Sequence, residues 1–259
     1  MFGTRILILI PHPDDEVVGC GTLIERAHAT GAETFALVLT TGVPSTDRLW
    51  PWQRLDHQER IARRYDEYDR ATTGLGLVDV GRLRIPTRTL KDHLHEALSL
   101  VSRAIQSVRP DRLWAPAYEG GHQDHDSANF LASLVRRRVE VWEFSEYSFS
   151  GGTVRSNQFT ESRPGQITIE LTLSEQRRKQ ALLAGYRSER KNLRHIRTQE
   201  ESIRPLPDYD YARPPHELPL FYQRFQWVPY HPRIDQTRPH EVCEALCRFR
   251  ATVNPGVVG

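Results

Sequence analysis

The sequence predicts an α/β fold: a Rossmann-like, mostly parallel sheet with helices on both faces, continued by an irregular C-terminal extension. Three observations lead there. Arg5 to Ile10 is a short, β-branched and almost wholly apolar run, the mark of a strand covered on both faces. Through the first 150 residues such runs alternate with stretches of helical period, which is the order of successive βαβ units. Beyond about residue 190, proline, arginine and aromatic residues replace clean periodicity.

Each element has its own signal. Asp15 and Glu16 stand where a helix opens, and Val17, Val18, Leu23, Ile24 and Ala27 give it an apolar face up to Gly31. Thr34 to Thr40 reads as a second buried strand, Asp56 to Thr73 as a charged helix, and Leu77 to Ile85 as a strand. Leu94, Leu98, Val101 and Ile105 fall in line along a helix from Leu90 to Val108. A strand at Asp111–Ala117, a helix at Asp126–Arg138 and a strand at Val139–Phe149 follow. After them come a strand-like Gln166–Leu173 and a helix from Ser174 to about Gly185. Residues 203–240 hold many of the prolines, so they are read as wrapping the core rather than forming a second one. Residues 1–259 are therefore expected to form one domain, with a core of about 1–190 and a Pro- and aromatic-rich extension, 191–259, packed on it. Phe221, Tyr222, Phe225, Trp227 and Tyr230 are expected to anchor that extension.

Composition excludes several function classes. Thirty-five basic residues against 33 acidic ones leave a formal charge of +2, too balanced for a chain whose task is gripping nucleic acid or an anionic membrane. Cys20, Cys243 and Cys247 cannot form a disulfide framework and read as small buried side chains. No apolar run approaches the roughly 20 residues of a membrane span. These features predict a soluble protein of a reducing compartment, the cytoplasm.

Two segments carry chemistry. Pro11-His12-Pro13-Asp14-Asp15-Glu16 directly follows the first buried strand, and open α/β sheets bind ligands beyond the carboxyl ends of their strands. One helix cap needs one carboxylate; a histidine and two adjacent aspartates crowded in one tight loop must be paired, solvated or bound to a cation. Tyr118-Glu-Gly-Gly-His122-Gln-Asp124-His125-Asp126 again follows a strand end. Converging loops would bring His12, Asp15 and one of His122 or His125 into a set of two imidazoles and a carboxylate. That set leaves a position for water, the pattern of a catalytic zinc.

Pro-His-Pro-Asp-Asp-Glu after a first apolar strand, with a later Gly-Gly-His-x-Asp-His, resembles the PIG-L/LmbE family of zinc-dependent de-N-acetylases. Arg64-Tyr-Asp-Glu67-Tyr-Asp-Arg-Ala71 before Leu75-Gly76, and Lys179 through Tyr186-Arg-Ser188, are similar to further family elements. The resemblance runs from residue 5 to about 190. It implies His12, Asp15 and His125 as metal ligands, Asp14 as general base, and a protonated His122 stabilising the oxyanion. Asp124 would orient one of the histidines from behind. Zn²⁺ is the implied ion, with Fe²⁺ or Co²⁺ able to substitute. The implied substrate is an N-acetylglucosamine-type amino sugar or its conjugate. Two departures stand out: Gln123 where relatives commonly have Pro, and Thr87 where they often have Asp, which puts a substrate contact in doubt.

Substrate contacts are less defined. Arg64 matches a family arginine that reaches toward substrate, with an ordinary ion pair as the alternative. Trp50 and Trp52 flank Pro51 in a loop suited to stacking on sugar faces or to packing on the protein. Tyr118 is placed to meet the reacting acetyl group. Two other functions compete: an amidase on a different amide, such as a thiol conjugate, and a non-catalytic sugar- or nucleotide-binding module. A dinucleotide role is disfavoured, because Gly19-Cys-Gly21 is followed by Ile24 at the third glycine position, and the acids at 14–16 would repel a pyrophosphate.

Overall fold

The structure is a computed structural model that describes residues 2–228, 231 and 234–253. Its elements run β1 (Arg5–Ile10), α1 (Asp15–Ala29), β2 (Glu33–Val38), α2 (Pro51–Arg54), α3 (His57–Leu75), β3 (Val78–Arg82), α4 (Leu94–Val108), β4 (Arg112–Pro116) and α5 (Gln123–Leu134). Then come β5 (Glu140–Phe144), β6 (Tyr147–Ser150), β7 (Thr153–Ser156), β8 (Ile167–Glu170), α6 (Leu173–Gly185), β9 (Glu200–Pro205) and α7 (Pro239–Thr252).

A seven-stranded sheet takes the order β3-β2-β1-β4-β5-β9-β8. The first five strands are parallel, while β9 runs antiparallel to both of its neighbours. β1 accounts for the two-sided core. Leu7 and Leu9 join the apolar cluster with α4, α5 and α7, whereas Ile6, Ile8 and Ile10 join the cluster with α1 and α3. A strand with a period of two can serve both faces only if both kinds of position are apolar. From β1 the chain winds outward through β2 and β3, then crosses back to add β4 and β5 on the other side. The carboxyl ends of β1 and β4 thus flank the point where the winding reverses, which is where the two chemical loops emerge.

Several sequence expectations change. The helix expected from Asp126 begins at Gln123, because His122 caps it: His122 has extended backbone and its Nδ1 accepts the Asp124 N–H at 3.0 Å. The single strand expected over 139–149 is two, since β6 leaves the main sheet to form a hairpin with β7. The helix expected from Leu90 opens with a short 3-10 turn at Leu90–Asp92 before α4. The extension is less irregular than its prolines imply: β9 enters the sheet and α7 packs Val242, Leu246 and Phe249 into the core. β9 does not read as a buried strand because it carries Glu201 and Arg204; burial is tolerated since Glu201 pairs with Lys179 and Arg204 with Glu143. Of the expected aromatic anchors, Tyr222 is buried, and Phe221 packs on Tyr147 and His195. Phe225 and Trp227 are exposed, and Tyr230 lies outside the described residues. Cys20 and Cys243 are buried thiols, but Cys247 is exposed. Among the described residues no helix is long and apolar enough to cross a membrane.

Helix α1 is broken at Cys20, whose φ of −146° and ψ of 20° are not helical. The break frees backbone groups that water cannot reach. Lys179 Nζ donates to the Val18 carbonyl at 2.8 Å, and the Glu201 carboxylate accepts from the N–H groups of Thr22 (3.0 Å) and Leu23 (2.8 Å). Lys179 and Glu201 also pair at 2.8 Å, so one buried ion pair closes the gap on both sides.

Candidate metal and catalytic site

After β1 the chain turns sharply through Pro11–Asp14. Asp14 has φ 152° and ψ −21°, a backbone state that L-residues rarely adopt and that strains the turn. The turn sends the two adjacent aspartates in different directions. Asp15 folds back, its Oδ2 accepting the His12 N–H at 2.7 Å. Asp14 faces Arg64 instead, with both guanidinium contacts at 3.3 Å. The second loop approaches from β4. At Gly121 a Cβ would lie 2.3 Å from the Tyr147 carbonyl, so only glycine lets this loop pass beneath β6.

Where the loops meet, three donor atoms form a near-equilateral triangle. His12 Nδ1 is 3.1 Å from His125 Nε2 and 3.2 Å from Asp15 Oδ2, and His125 Nε2 is 3.3 Å from that same oxygen. A tetrahedral ion with bonds of about 2.0–2.1 Å has ligand-to-ligand edges of roughly 3.3 Å. The residues therefore fit a divalent metal in both chemistry and spacing, and all three are buried.

Asp124 braces the triangle. Its Oδ2 lies 3.0 Å from His12 Nε2, leaving Nδ1 as the inward-facing nitrogen. That carboxylate also accepts from Thr87 Oγ1 (2.9 Å), Arg88 N–H (2.6 Å) and Leu90 N–H (3.1 Å). His12, His122 and Asp124 form a second cluster of donors within 4.8 Å, but the Asp124 oxygens are already committed. Burial works against the Asp124 charge, yet the His12 hydrogen bond and these donors hold its carboxyl well below the usual range. Burial likewise opposes charge on His12, but Asp15 and Asp124 push it up to about 10. The same negative surroundings favour a cation.

Asp14 and His122 line the cavity beside the triangle. Burial raises the Asp14 carboxyl and Arg64 opposes it, leaving it at about 7. The expectation of a protonated His122 is not met. Burial lowers its imidazole well below the usual value, His12 and His125 push the same way, and only Asp124 resists strongly. With Nδ1 accepting from Asp124 N–H, the remaining proton sits on Nε2, so His122 is a neutral donor.

The other sequence candidates are placed as follows. Arg64 is buried and lines the cavity of about 620 Å³ that contains His12, Asp14 and His122, held there by Asp14 and by Glu189 at 3.6 Å. Tyr118 is not brought to the site. Its hydroxyl donates to the Arg213 carbonyl at 2.7 Å and its ring packs on Tyr209 and Tyr211, because it leaves β4 on the far face. Trp50 and Trp52 stack on each other 5.3 Å apart, and neither lines that cavity. Trp50 lines an adjoining cavity that shares Leu49, Arg88 and Ile234 with the first. Thr87 touches His12 Nε2 at 2.8 Å, so the departure there falls beside the metal triangle. Sequence reasoning missed Glu146, Tyr147 and Glu189. The signal for the first two was topological: they follow β5, whose carboxyl end borders that of β4.

Residues 7–135, which carry both loops, match the profile of the PIG-L family, described as GlcNAc-PI de-N-acetylase. This segment places the chain in the PIG-L family. A diacetylchitobiose deacetylase of Thermococcus kodakarensis is 31% identical over 134 residues, 49% of this chain and 47% of that protein. The match thus spans about half the length of the curated relative. Among solved structures, the zinc-inhibited form of teicoplanin deacetylase superposes with a TM-score of 0.58 at 16% identity, covering 78% of this chain and 97% of that one. The 4-carboxy-2-hydroxymuconate hydratase of Pseudomonas putida gives 0.55 at 15% identity, with coverage of 83% and 100%. The fold thus accommodates more than one chemistry, and function has to be argued from the site.

Proposed function

We propose that this protein is a metal-dependent hydrolase that removes the N-acetyl group of an N-acetylglucosamine-type amino sugar or its conjugate. The observation that carries the reading is the triangle of His12 Nδ1, Asp15 Oδ2 and His125 Nε2 beside a separate carboxylate, Asp14, aimed elsewhere by a strained turn. Membership of a family described by de-N-acetylation and likeness to a diacetylchitobiose deacetylase support an amide of an amino sugar as the target.

His12, Asp15 and His125 would hold the ion, with zinc the best match to two imidazoles and a carboxylate, and Fe²⁺ or Co²⁺ also accommodated. Once bound, the ion would polarise the amide carbonyl and acidify a water molecule. Asp14 takes the proton of the attacking water and passes it to the leaving amine. Arg64 keeps Asp14 oriented and eases its ionisation. His122 donates its Nε2–H to the carbonyl oxygen as negative charge develops there, without itself needing a charge. Asp124 holds His12 in the tautomer that presents Nδ1. Buried thiols at Cys20 and Cys243 suit work in a reducing compartment such as the cytoplasm.

The test is acetate release from a panel of N-acetylglucosamine conjugates by protein loaded with zinc, cobalt or iron, and after chelation. Turnover that depends on the metal supports the reading. Full amidase activity in metal-free protein would sink it.

A further inference from the structure

Glu146 is the least explained buried acid in the molecule. It lies two residues beyond β5 and is 1% exposed; neither carboxyl oxygen has a partner in good hydrogen-bond geometry, and burial together with the adjacent Asp15 carboxylate pushes its carboxyl well above the usual range. Burying a carboxyl without partners is costly, so a fold keeps one only where something uses it. The surroundings are built to hold it. Its N–H donates to the Glu119 carboxylate at 2.9 Å, and its carbonyl accepts from Asn157 N–H at 2.6 Å, with Asn157 in a left-handed backbone state at φ 58°. Gly19 in α1 leaves room for the side chain: a Cβ there would lie 2.8 Å from Glu146 Cγ.

The carboxyl is directed at the metal triangle from behind. Glu146 Oε2 lies 3.7 Å from Nδ1 of His125, the nitrogen opposite the one that joins the triangle. The arrangement repeats that of the other histidine, where Asp124 Oδ2 stands 3.0 Å from His12 Nε2 and Nδ1 faces inward. Each imidazole is thus backed by an acid from a different element: α5 for His12, and the β5–β6 turn for His125.

We propose that Glu146 is a positioning residue for the metal site. It accepts the Nδ1–H of His125 and so fixes the tautomer and ring orientation that offer the Nε2 lone pair to the ion. This role requires the 3.7 Å separation to shorten to hydrogen-bond length when the ion is bound. The proposal rests on the reading of His125 as a ligand. It also gives Glu119 a purpose, since Glu119 accepts from both Ser145 Oγ and Glu146 N–H and thereby sets the turn that delivers the carboxyl.

The experiment uses the full chain and the near-isosteric Glu146→Gln, with Glu146→Leu beside it. Zinc affinity is measured by competition with a chromophoric chelator, the melting temperature on metal-free protein, and the imidazole protons by NMR of zinc-loaded protein. Removing an acid that backs a metal-bound histidine should weaken zinc binding about 10- to 100-fold. The metal-free melting temperature should hold or rise, because an unpaired buried carboxyl has gone. The downfield Nδ1–H resonance of His125 should move or vanish in both variants. Unchanged zinc affinity in Glu146→Gln and Glu146→Leu overturns the proposal. So does a fall in metal-free stability that accounts for the whole loss of affinity, which marks a purely structural residue. His125→Ala is run in parallel: if it keeps wild-type zinc affinity, the ligand assignment fails, and that failure is distinct from one at Glu146.

Discussion

In the proposed reading Asp14 and Asp15 differ by one position yet have different tasks, so their substitutions separate cleanly. Asp14→Asn should keep the fold and the metal while lowering kcat by roughly two to four orders of magnitude, since the amide cannot take the water's proton. Asp15→Ala should instead lower metal content. Activity should rise with pH through the Asp14 titration, placed near 7 by burial against Arg64 and drawn lower by a bound cation, because the base works only when ionised. Arg64→Leu removes the opposing positive charge, so the acidic limb should move up by about one to three pH units. A pH–rate profile in which Asp14→Asn keeps the wild-type acidic limb would show that another group is the base. His122 divides from His125 in the same way. His122→Ala should retain metal and lose about two to three orders of magnitude in kcat, whereas His125→Ala should lose both metal and activity. Because His122 is already neutral, no alkaline limb should trace to it; metal occupancy and kcat profiles of both variants decide the matter.

Among the elements, α1 shows how a helix is bent without proline. Its apolar face was readable, yet the break at Cys20 was not, because the groups that repair it come from α6 and β9. Lys179→Met should leave Glu201 buried with its charge uncompensated and cost about 3–5 kcal/mol. Urea unfolding measures this, and a loss below about 1 kcal/mol would mean that the pair does not support the kink. The early start of α5 has a similar origin. A histidine cap is not a usual helix signal, and here His122 takes that place because the same ring must face the cavity.

For the whole molecule, the proposed ligands His12, Asp15 and His125 sit at the point where the sheet reverses its winding, and backbone and side-chain bonds hold them without the ion. Chelation should therefore abolish activity yet leave the far-UV circular dichroism unchanged. Metal at a hundredfold excess over its Kd adds about 2.7 kcal/mol. For a chain of this size that equals a rise of roughly 5–10 °C in Tm. Global unfolding on chelation would place the ion in the folding core instead.

The sequence by itself determined the parallel core, since a strand covered on both faces must be apolar at every position, and it determined the two loops, since adjacent acids and histidines at strand ends have no cheap structural use. The family pattern in those loops then implied the ligand set. Tertiary structure alone decided the rest. It chose His12 as the histidine that Asp124 braces and gave His122 its neutral tautomer. It sent Tyr118 to the far face, carried Glu146 in behind His125, and drew a charged strand, β9, into the sheet. These depend on partners distant in sequence, 112 residues for His12 and Asp124 and 95 for Tyr118 and Arg213, or on the direction of a turn, and periodicity along one segment carries no information about either.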